Sequence, residues 1–281
     1  MDFISDPATA SAWSAQQRRQ LRTIGLVPTM GALHAGHLSL IAKAKAEQGA
    51  VACSIFVNPR QFNNPDDLAR YPRQLEADQR LLLEAGCNML FAPSEQAIYW
   101  GLAPQHFDLN GLDTLLEGAS RPGHFQGVVQ VVERLLHYVR PDAAYFGEKD
   151  RQQFTVLKHA AEMMRWPVDM VACPTLREPD GLAMSSRNQR LSVEERRQAS
   201  VLFRALKCVS ELAFKHPVAE AVRAGVAMLA KEPAVRLDHL EVVDATTMIP
   251  ITEWADRQEA IAVIAAHVGP VRLIDNILLR R

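Results

Sequence analysis

The stretch IGLVPTMGALHAGHLS, residues 24 to 39, decides the fold. An apolar run from Ile24 to Val27 leads into Pro28 and Thr29. Two glycines follow, Gly31 and Gly36, and a helix-compatible segment opens near His37. That order is strand, glycine-bearing loop, helix. In a parallel sheet such a crossing turns backbone N–H groups and the positive end of a helix into one crevice, where phosphate can be held. His34 and His37 stand three residues apart at that point, and a helix entered at His34 sets both imidazoles on one face. There they can donate hydrogen bonds to the same phosphate oxygens. The turn alone is also what any parallel α/β protein uses between strand and helix. The lysine-bearing phosphate loop and the three-glycine dinucleotide fingerprint are both absent. A zinc pair would need an acidic or cysteine partner at ligand spacing, and none stands nearby in the sequence.

Outward from this stretch, residues 9–23 are polar and helix-compatible. Leu38, Leu40, Ile41 and Ala44 continue a helix up to Gly49. Val51 to Val57 is an apolar run suited to a strand covered on both faces. Asn58-Pro59-Arg60-Gln61-Phe62 forms the loop at its carboxyl end, so Asn58 and Gln61 face the same crevice as the histidines. Residues 73–85 read as a helix closed by Gly86, and Met89 to Phe91 as a short strand. Residues 93–110 are irregular. Residues 117–128 hold three glycines and a proline, too many for a helix interior, and the apolar helix starts at Val128 and runs to Val139. Ala143 to Phe146 is a strand, Gly147-Glu148-Lys149-Asp150 turns into a helix over 151–165, and Val168 to Cys173 is a further strand. Alternating strands and helices predict an α/β protein with a doubly wound parallel sheet. Beyond Thr175 the pattern changes to helices over 193–215 and 217–231, then strands at 238–243, 260–266 and 271–274 in a small separate sheet. The domain boundary falls in the 175–188 stretch.

The 281 residues include 31 basic and 32 acidic side chains, which leaves no global basic field for nucleic acid. The four cysteines form no CxxC pair, and Cys53 and Cys173 lie in apolar runs as free buried thiols, which fits a reducing cytosol. The first residues lack the basic and apolar regions of a signal peptide, and no apolar run reaches the length of a membrane span. A soluble cytoplasmic protein is expected.

Five blocks in order, PTMGALHAGH (28 to 37), SIFVNPRQF (54 to 62), EGASRPGHFQGV (117 to 128), FGEKDRQQ (146 to 153) and DGLAMSSRN (180 to 188), resemble the pantothenate synthetase family. His34-Ala35-Gly36-His37 is a version of the HxGH signature of the nucleotidyltransferase and class I aminoacyl-tRNA synthetase superfamily. The resemblance spans nearly the whole chain. It implies a Rossmann-like doubly wound parallel sheet over residues 1–176, binding ATP and pantoate, and a smaller C-terminal α+β domain over 177–281 that closes over the active site. It further implies ATP-dependent condensation of (R)-pantoate with β-alanine through a pantoyl-adenylate, with Mg2+ accompanying ATP, in a cytoplasmic homodimer with no nucleic-acid or membrane partner.

By the same resemblance ATP is bound by Met30, Gly31, Ala32, Leu33, His34, Ala35, Gly36 and His37, by Gly147, Glu148, Lys149 and Asp150, and by Leu176, Met184, Ser185, Ser186 and Arg187. His34, His37 and Lys149 are the catalytic group, with His37 in the family's proton-donor role. Gln61 and Gln153 hold pantoate, Asn58 orients that wall, and Gln61 also lies against β-alanine. The residue types suit the chemistry: a carboxylate must approach the α-phosphorus of ATP, two anions that repel in water, so the site must supply positive charge and fixed donors. Neutral amides bind hydroxyl and carboxylate oxygens without a counter-charge that would blunt the nucleophile. Arg60 stands where the family usually has an uncharged residue. No roles are assigned to Arg121 and His124, and direct metal ligands are not legible. Two other readings stay open. A transferase passing AMP to a phosphate acceptor would favour Lys or Arg where the two glutamines stand, and a non-catalytic nucleotide-binding module would have lost at least one of His34, His37, Lys149 and Arg187.

Overall fold

The computed structural model describes residues 1–103 and 105–281, so Pro104, within the segment expected to be irregular, lies outside the described residues. The chain divides into two compact units, Met1–Glu148 with Val156–Pro174, and Lys149–Thr155 with Thr175–Arg281.

The first unit runs β1 (Asp2–Ile4), α1 (Pro7–Arg19), β2 (Ile24–Thr29), α2 (Ala35–Glu47), β3 (Ala50–Ile55), α3 (Pro65–Arg70), α4 (Leu75–Glu84), β4 (Met89–Phe91), α5 (Glu95–Ile98), α6 (Glu117–Ser120), α7 (His124–Val139), β5 (Ala143–Gly147), α8 (Arg151–Met164) and β6 (Asp169–Cys173). The division between the units falls within α8. Its six strands lie in the order β1-β4-β3-β2-β5-β6, every neighbouring pair parallel. This is the doubly wound sheet expected. Val27, Val51 and Cys53 on one face pack with Leu40, Ile41 and Ala44 of α2, while Leu26 and Ala52, one residue out of phase, are buried on the other.

The chain builds outward from β2 to β3 and β4 on one side, then returns to add β5 and β6 on the other. The reversal between β2 and β5 is where an open parallel sheet leaves a crevice at its carboxyl edge. Pro28 sharpens it. Ile24 accepts from Asp142 on the β5 side, while Thr23 and Thr29 accept on the β3 side, so even-numbered positions of β2 face β5. Pro28 therefore turns toward β5 a nitrogen with no hydrogen. Pairing with β3 continues to Thr29, whereas pairing with β5 ends at Leu26. Both the HAGH turn after β2 and Gly147-Glu148 after β5 leave from this edge.

The second unit adds α9 (Val193–Ala199), α10 (Val201–Leu212), α11 (Val218–Leu229), β7 (Val235–Asp244), β8 (Glu259–Val268) and β9 (Val271–Arg280). The three strands form an antiparallel sheet in that order. Leu202, Leu206 and Val209 of α10 share a core with Ala262, Ile264 and Ala266 of the central strand.

Several boundaries differ from the expected ones. The first helix covers Pro7–Arg19, started by Asp6, whose carboxylate accepts from the Thr9 N–H at 2.7 Å. A three-residue strand precedes it, too short to show a period. The helix expected over 193–215 is interrupted at Ser200, whose hydroxyl donates back to the Arg197 carbonyl at 3.0 Å. The helix expected from Val128 begins at His124 and carries Gly127 inside it. A Cβ at Gly127 would stand 2.3 Å from the Arg60 carbonyl oxygen, so glycine is what lets α7 approach the 58–61 turn. The last strand runs to Arg280 rather than stopping at Ile274.

Candidate active site

In the first unit the turn after β2 is held in an uncommon conformation. Gly31 and Ala32 have φ of +81° and +51°. Asp78 on α4, almost fully buried, accepts the Ala32 N–H on one carboxylate oxygen at 2.9 Å and the Leu33 N–H on the other at 2.8 Å. A Cβ at Gly31 would stand 2.9 Å from that carboxylate. The chain then enters α2 with His34 as N-cap and His37 in its first turn, their ring centroids 4.1 Å apart. The two rings form a reciprocal cap. Nδ1 of His34 accepts the Gly36 N–H at 3.1 Å, and Nδ1 of His37 accepts the His34 N–H at 3.3 Å. Backbone nitrogens can only donate, so both Nδ1 atoms are acceptors and each neutral ring carries its hydrogen on Nε2.

The N–H of Gly31 goes to the Thr29 hydroxyl, those of Ala32 and Leu33 to Asp78, and those of His34 and Gly36 to the imidazoles. These five backbone donors are engaged in shaping the turn.

Gln61, 7% exposed, sits at the end of the short turn Pro59–Gln61 that follows β3. Its Nε2 donates to the Met30 sulfur at 3.2 Å, which brings the expected pantoate residue against the first expected ATP residue. Asn58, expected to orient the pantoate wall, bonds directly to Gln61. Asn58 is fully buried, and its Nδ2 donates to Gln61 Oε1 and to the Gly127 carbonyl, both at 3.0 Å. Its Oδ1 accepts from the Tyr99 hydroxyl at 2.8 Å and from the Arg60 N–H at 3.2 Å. Both amide hydrogens and two acceptor positions are thereby used, and one of the donors fixes Gln61. Burial pushes the Tyr99 phenol well above its ordinary range, which keeps its hydrogen on that bond.

Two residues without an assigned role converge on the same loop. His124 Nδ1 bonds the Gln61 carbonyl at 2.8 Å, and Arg121 Nη2 donates to that oxygen at 3.2 Å. The unusual Arg60 lays its guanidinium 3.6 Å from the centre of the Tyr99 ring and donates to Gln130.

In the second unit Lys149 follows Gly147 and Glu148 in a short turn, its Nζ 3.6 Å from Asp150 Oδ1. Gln153 lies on α8, two residues into the helix. Leu176 and Met184 are brought together by a tight antiparallel turn. Met184 N–H donates to the Leu176 carbonyl at 3.0 Å, Arg177 bridges Ala183, and Glu178 N–H donates to Leu182 at 2.8 Å. Ser185 then caps a short helical turn, Ser186–Arg190, by accepting the Arg187 N–H. Ser186 is buried and Arg187 half-buried.

The hairpin is fastened to β9 by a buried ion pair. Arg177 grips Asp275 with two nitrogens, at 2.6 and 3.0 Å, and also donates to the Gly181 and Asn276 carbonyls at 3.1 Å each. Its guanidinium lies 3.9 Å from the centre of the Phe203 ring. Burial raises the Asp275 carboxyl above its ordinary value, and Arg177 works against that rise. No sequence signal pointed to this pair, because Asp275 ended the apolar run that marked the strand.

The family model described as pantoate-beta-alanine ligase matches residues 2–278. The chain belongs to the pantoate–β-alanine ligase family. It is an enzyme, a pantoate–β-alanine ligase. The pantothenate synthetase of Cytophaga hutchinsonii is 45% identical over 267 residues, 94% of each chain, and that of Porphyromonas gingivalis 44% identical over 277 residues, 99% of each. Among solved structures, the pantothenate synthetase of Thermus thermophilus superposes with a TM-score of 0.92 at 45% identity, covering 99% of both chains. The pantoate-beta-alanine ligase of Francisella tularensis, solved as a complex with beta-gamma ATP and beta-alanine, superposes with a TM-score of 0.81 at 35% identity over 99% of this chain and 97% of that one.

Proposed function

We propose that this ligase works in two steps, adenylation of pantoate followed by capture of the adenylate by β-alanine. The observation that carries the proposal is the pair of histidines whose Nδ1 atoms are both pinned by backbone N–H groups, so that both Nε2–H groups serve as donors to phosphate. In the first step a pantoate carboxylate oxygen attacks the α-phosphorus of ATP. A carboxylate–phosphorus bond forms, the bond to the bridging oxygen breaks, and diphosphate leaves with the electron pair. Negative charge grows on the bridging oxygen and on the α-phosphate. His34, His37, Lys149, Ser185, Ser186 and Arg187 are assigned to that charge, and each donor contributes about 2–4 kcal/mol of transition-state stabilisation. His37 is assigned the donation to the leaving oxygen.

Gln61 and Gln153 hold pantoate through neutral amides, which leaves the carboxylate its full nucleophilicity. The saturated Asn58 amide supports Gln61 in that task by fixing its Oε1. In the second step the β-alanine amine attacks the acyl carbon, the acyl–oxygen bond breaks, and AMP leaves as the new amide sheds a proton. Met30, Gly147, Asp150, Leu176 and Met184 are assigned to the rest of the nucleotide, with Asp150 accepting from the ribose. Magnesium enters with the substrate as MgATP, where phosphate and water supply the oxygen ligands it prefers. Among the described residues no group of three or more His, Cys, Asp or Glu side chains gathers at metal-binding distance. A homodimer in the cytoplasm completes the proposal. Three buried thiols, Cys53, Cys87 and Cys173, are consistent with a reducing compartment.

The test is pantoate-dependent exchange of labelled diphosphate into ATP, with magnesium present and β-alanine omitted. Exchange that requires pantoate is the expected result, with AMP released when β-alanine is added. Absence of exchange and of AMP release in the full mixture would refute the two-step reading. Sedimentation checks the dimer.

A further inference from the structure

The second unit contributes two separate stretches to the nucleotide under the reading above, Lys149 and the 176–187 hairpin. Both are tied to the same two residues of β9. Asp275 holds the hairpin through Arg177, and the main-chain carbonyl of the next residue, Asn276, accepts a further bond from that guanidinium at 3.1 Å. The Asn276 side chain points to the other stretch, where its Nδ2 donates to the Lys149 carbonyl at 2.9 Å. The Asn276 N–H in turn donates to Asp275 Oδ1 at 2.8 Å, which locks the dipeptide against itself. Asp275 is 4% exposed and gripped by Arg177 on a ten-residue strand, whereas Lys149 lies in a three-residue turn, so the strand is the anchor and the turn is what it positions.

We infer that Asn276 is a positioning residue for Lys149, and that the Asp275–Asn276 dipeptide sets the lysine and the 176–187 hairpin in one fixed relation. The inference rests on the assignment of Lys149 to the phosphates. The chemistry asks for such a device: an ammonium on a flexible four-carbon stem is a well-placed charge only if its main chain is held. A short turn between strand and helix offers little restraint of its own. The Asn276 amide, donating to the Lys149 carbonyl, supplies it from a strand more than a hundred residues away.

The experiment compares Asn276→Ala, Lys149→Ala and the double variant with the parent enzyme in diphosphate exchange, with folding checked by circular dichroism. Asn276→Ala is expected to lower kcat about 10- to 100-fold while the KM for pantoate stays within about twofold, because the pantoate residues are not touched. In the Lys149→Ala background the same change is expected to cost less than about twofold, since its effect passes through the lysine. A loss in the double variant equal to the product of the single losses would overturn the inference, as would full activity of Asn276→Ala. Should Asn276→Ala fail to fold, Asn276→Asp removes the donor at the same size and takes its place. Failure of the functional reading shows separately: the parent enzyme would lack pantoate-dependent exchange, or Lys149→Ala would retain it, and either result would remove the inference as well.

Discussion

Asp78→Asn is the substitution that tests most directly how the histidine turn is built. Asp78 accepts one backbone N–H on each oxygen, and the asparagine amide has the same shape but a single acceptor. Its NH2 group must then face the N–H of Ala32 or Leu33, donor against donor, inside the protein. A hydrogen bond to a charged group is worth about 1.5–3 kcal/mol, and a neutral one about 1 kcal/mol. Losing one such bond outright and weakening the other costs the closed turn about 2–4 kcal/mol. Ala32 already sits at φ +51°, which costs a non-glycine residue roughly 1–2 kcal/mol, so the turn has a ready route of relaxation once the clamp is gone. Expressed in adenylation, the loss amounts to about 30- to 1,000-fold in kcat/KM for ATP. The assay is pantoate-dependent diphosphate exchange as a function of ATP, alongside hydrogen exchange across residues 30–38. Faster exchange of the Ala32 and Leu33 amides should accompany the kinetic loss. An Asp78→Asn enzyme with parental kinetics and unchanged protection there would refute the clamp.

His37→Ala should keep the fold, losing about 1 kcal/mol through the missing half of the cap, while exchange falls by orders of magnitude; an active variant would take His37 out of the mechanism. Arg177→Met strands a buried carboxylate and should lower stability at neutral pH by about 3–5 kcal/mol in urea unfolding. The pH dependence of that loss has a defined sign. Burial holds the folded-state Asp275 pKa above its ordinary 3.8, so the folded chain takes up the proton first and the penalty shrinks as pH falls toward that raised value. A loss equal at neutral and mildly acidic pH would contradict this. Burial pushes the Cys87 and Cys173 thiols up to about 11, so a thiol reagent should label the half-buried Cys208 first, and early labelling of Cys87 would count against the packing.

The parallel sheet was legible because its strands are apolar runs covered on both faces, and because Gly31 and Gly36 punctuate the crossing after β2. What stayed hidden was long-range. Asp78 lies about 45 residues from the amides it holds, and in one dimension it reads as an ordinary acidic position on α4. Asn58 sits at a strand end, and two of the partners that hold it, Tyr99 and the Gly127 carbonyl, come from far along the chain. Gly127 reads as a helix breaker in one dimension, and the Arg60 carbonyl that occupies the place of its side chain is far off in sequence. The apolar run of the last strand ends at the charged Asp275, whose burial depends on a partner, Arg177, in another stretch. Local pattern reports which residues want to be covered; it does not report which polar group covers which.

The seven residues from Lys149 to Thr155 carry a consequence for recombination. They are flanked by the first unit in sequence but belong to the second by their contacts, and the Lys149 carbonyl finds its donor on the last strand. A gene cut after Pro174 therefore yields a fragment that encodes the lysine without Asn276. Exchanging the C-terminal portion between two relatives would likewise put a native Lys149 under a foreign strand. Chimeras of this enzyme should tolerate junctions only where residues 149–155 and β9 come from the same parent.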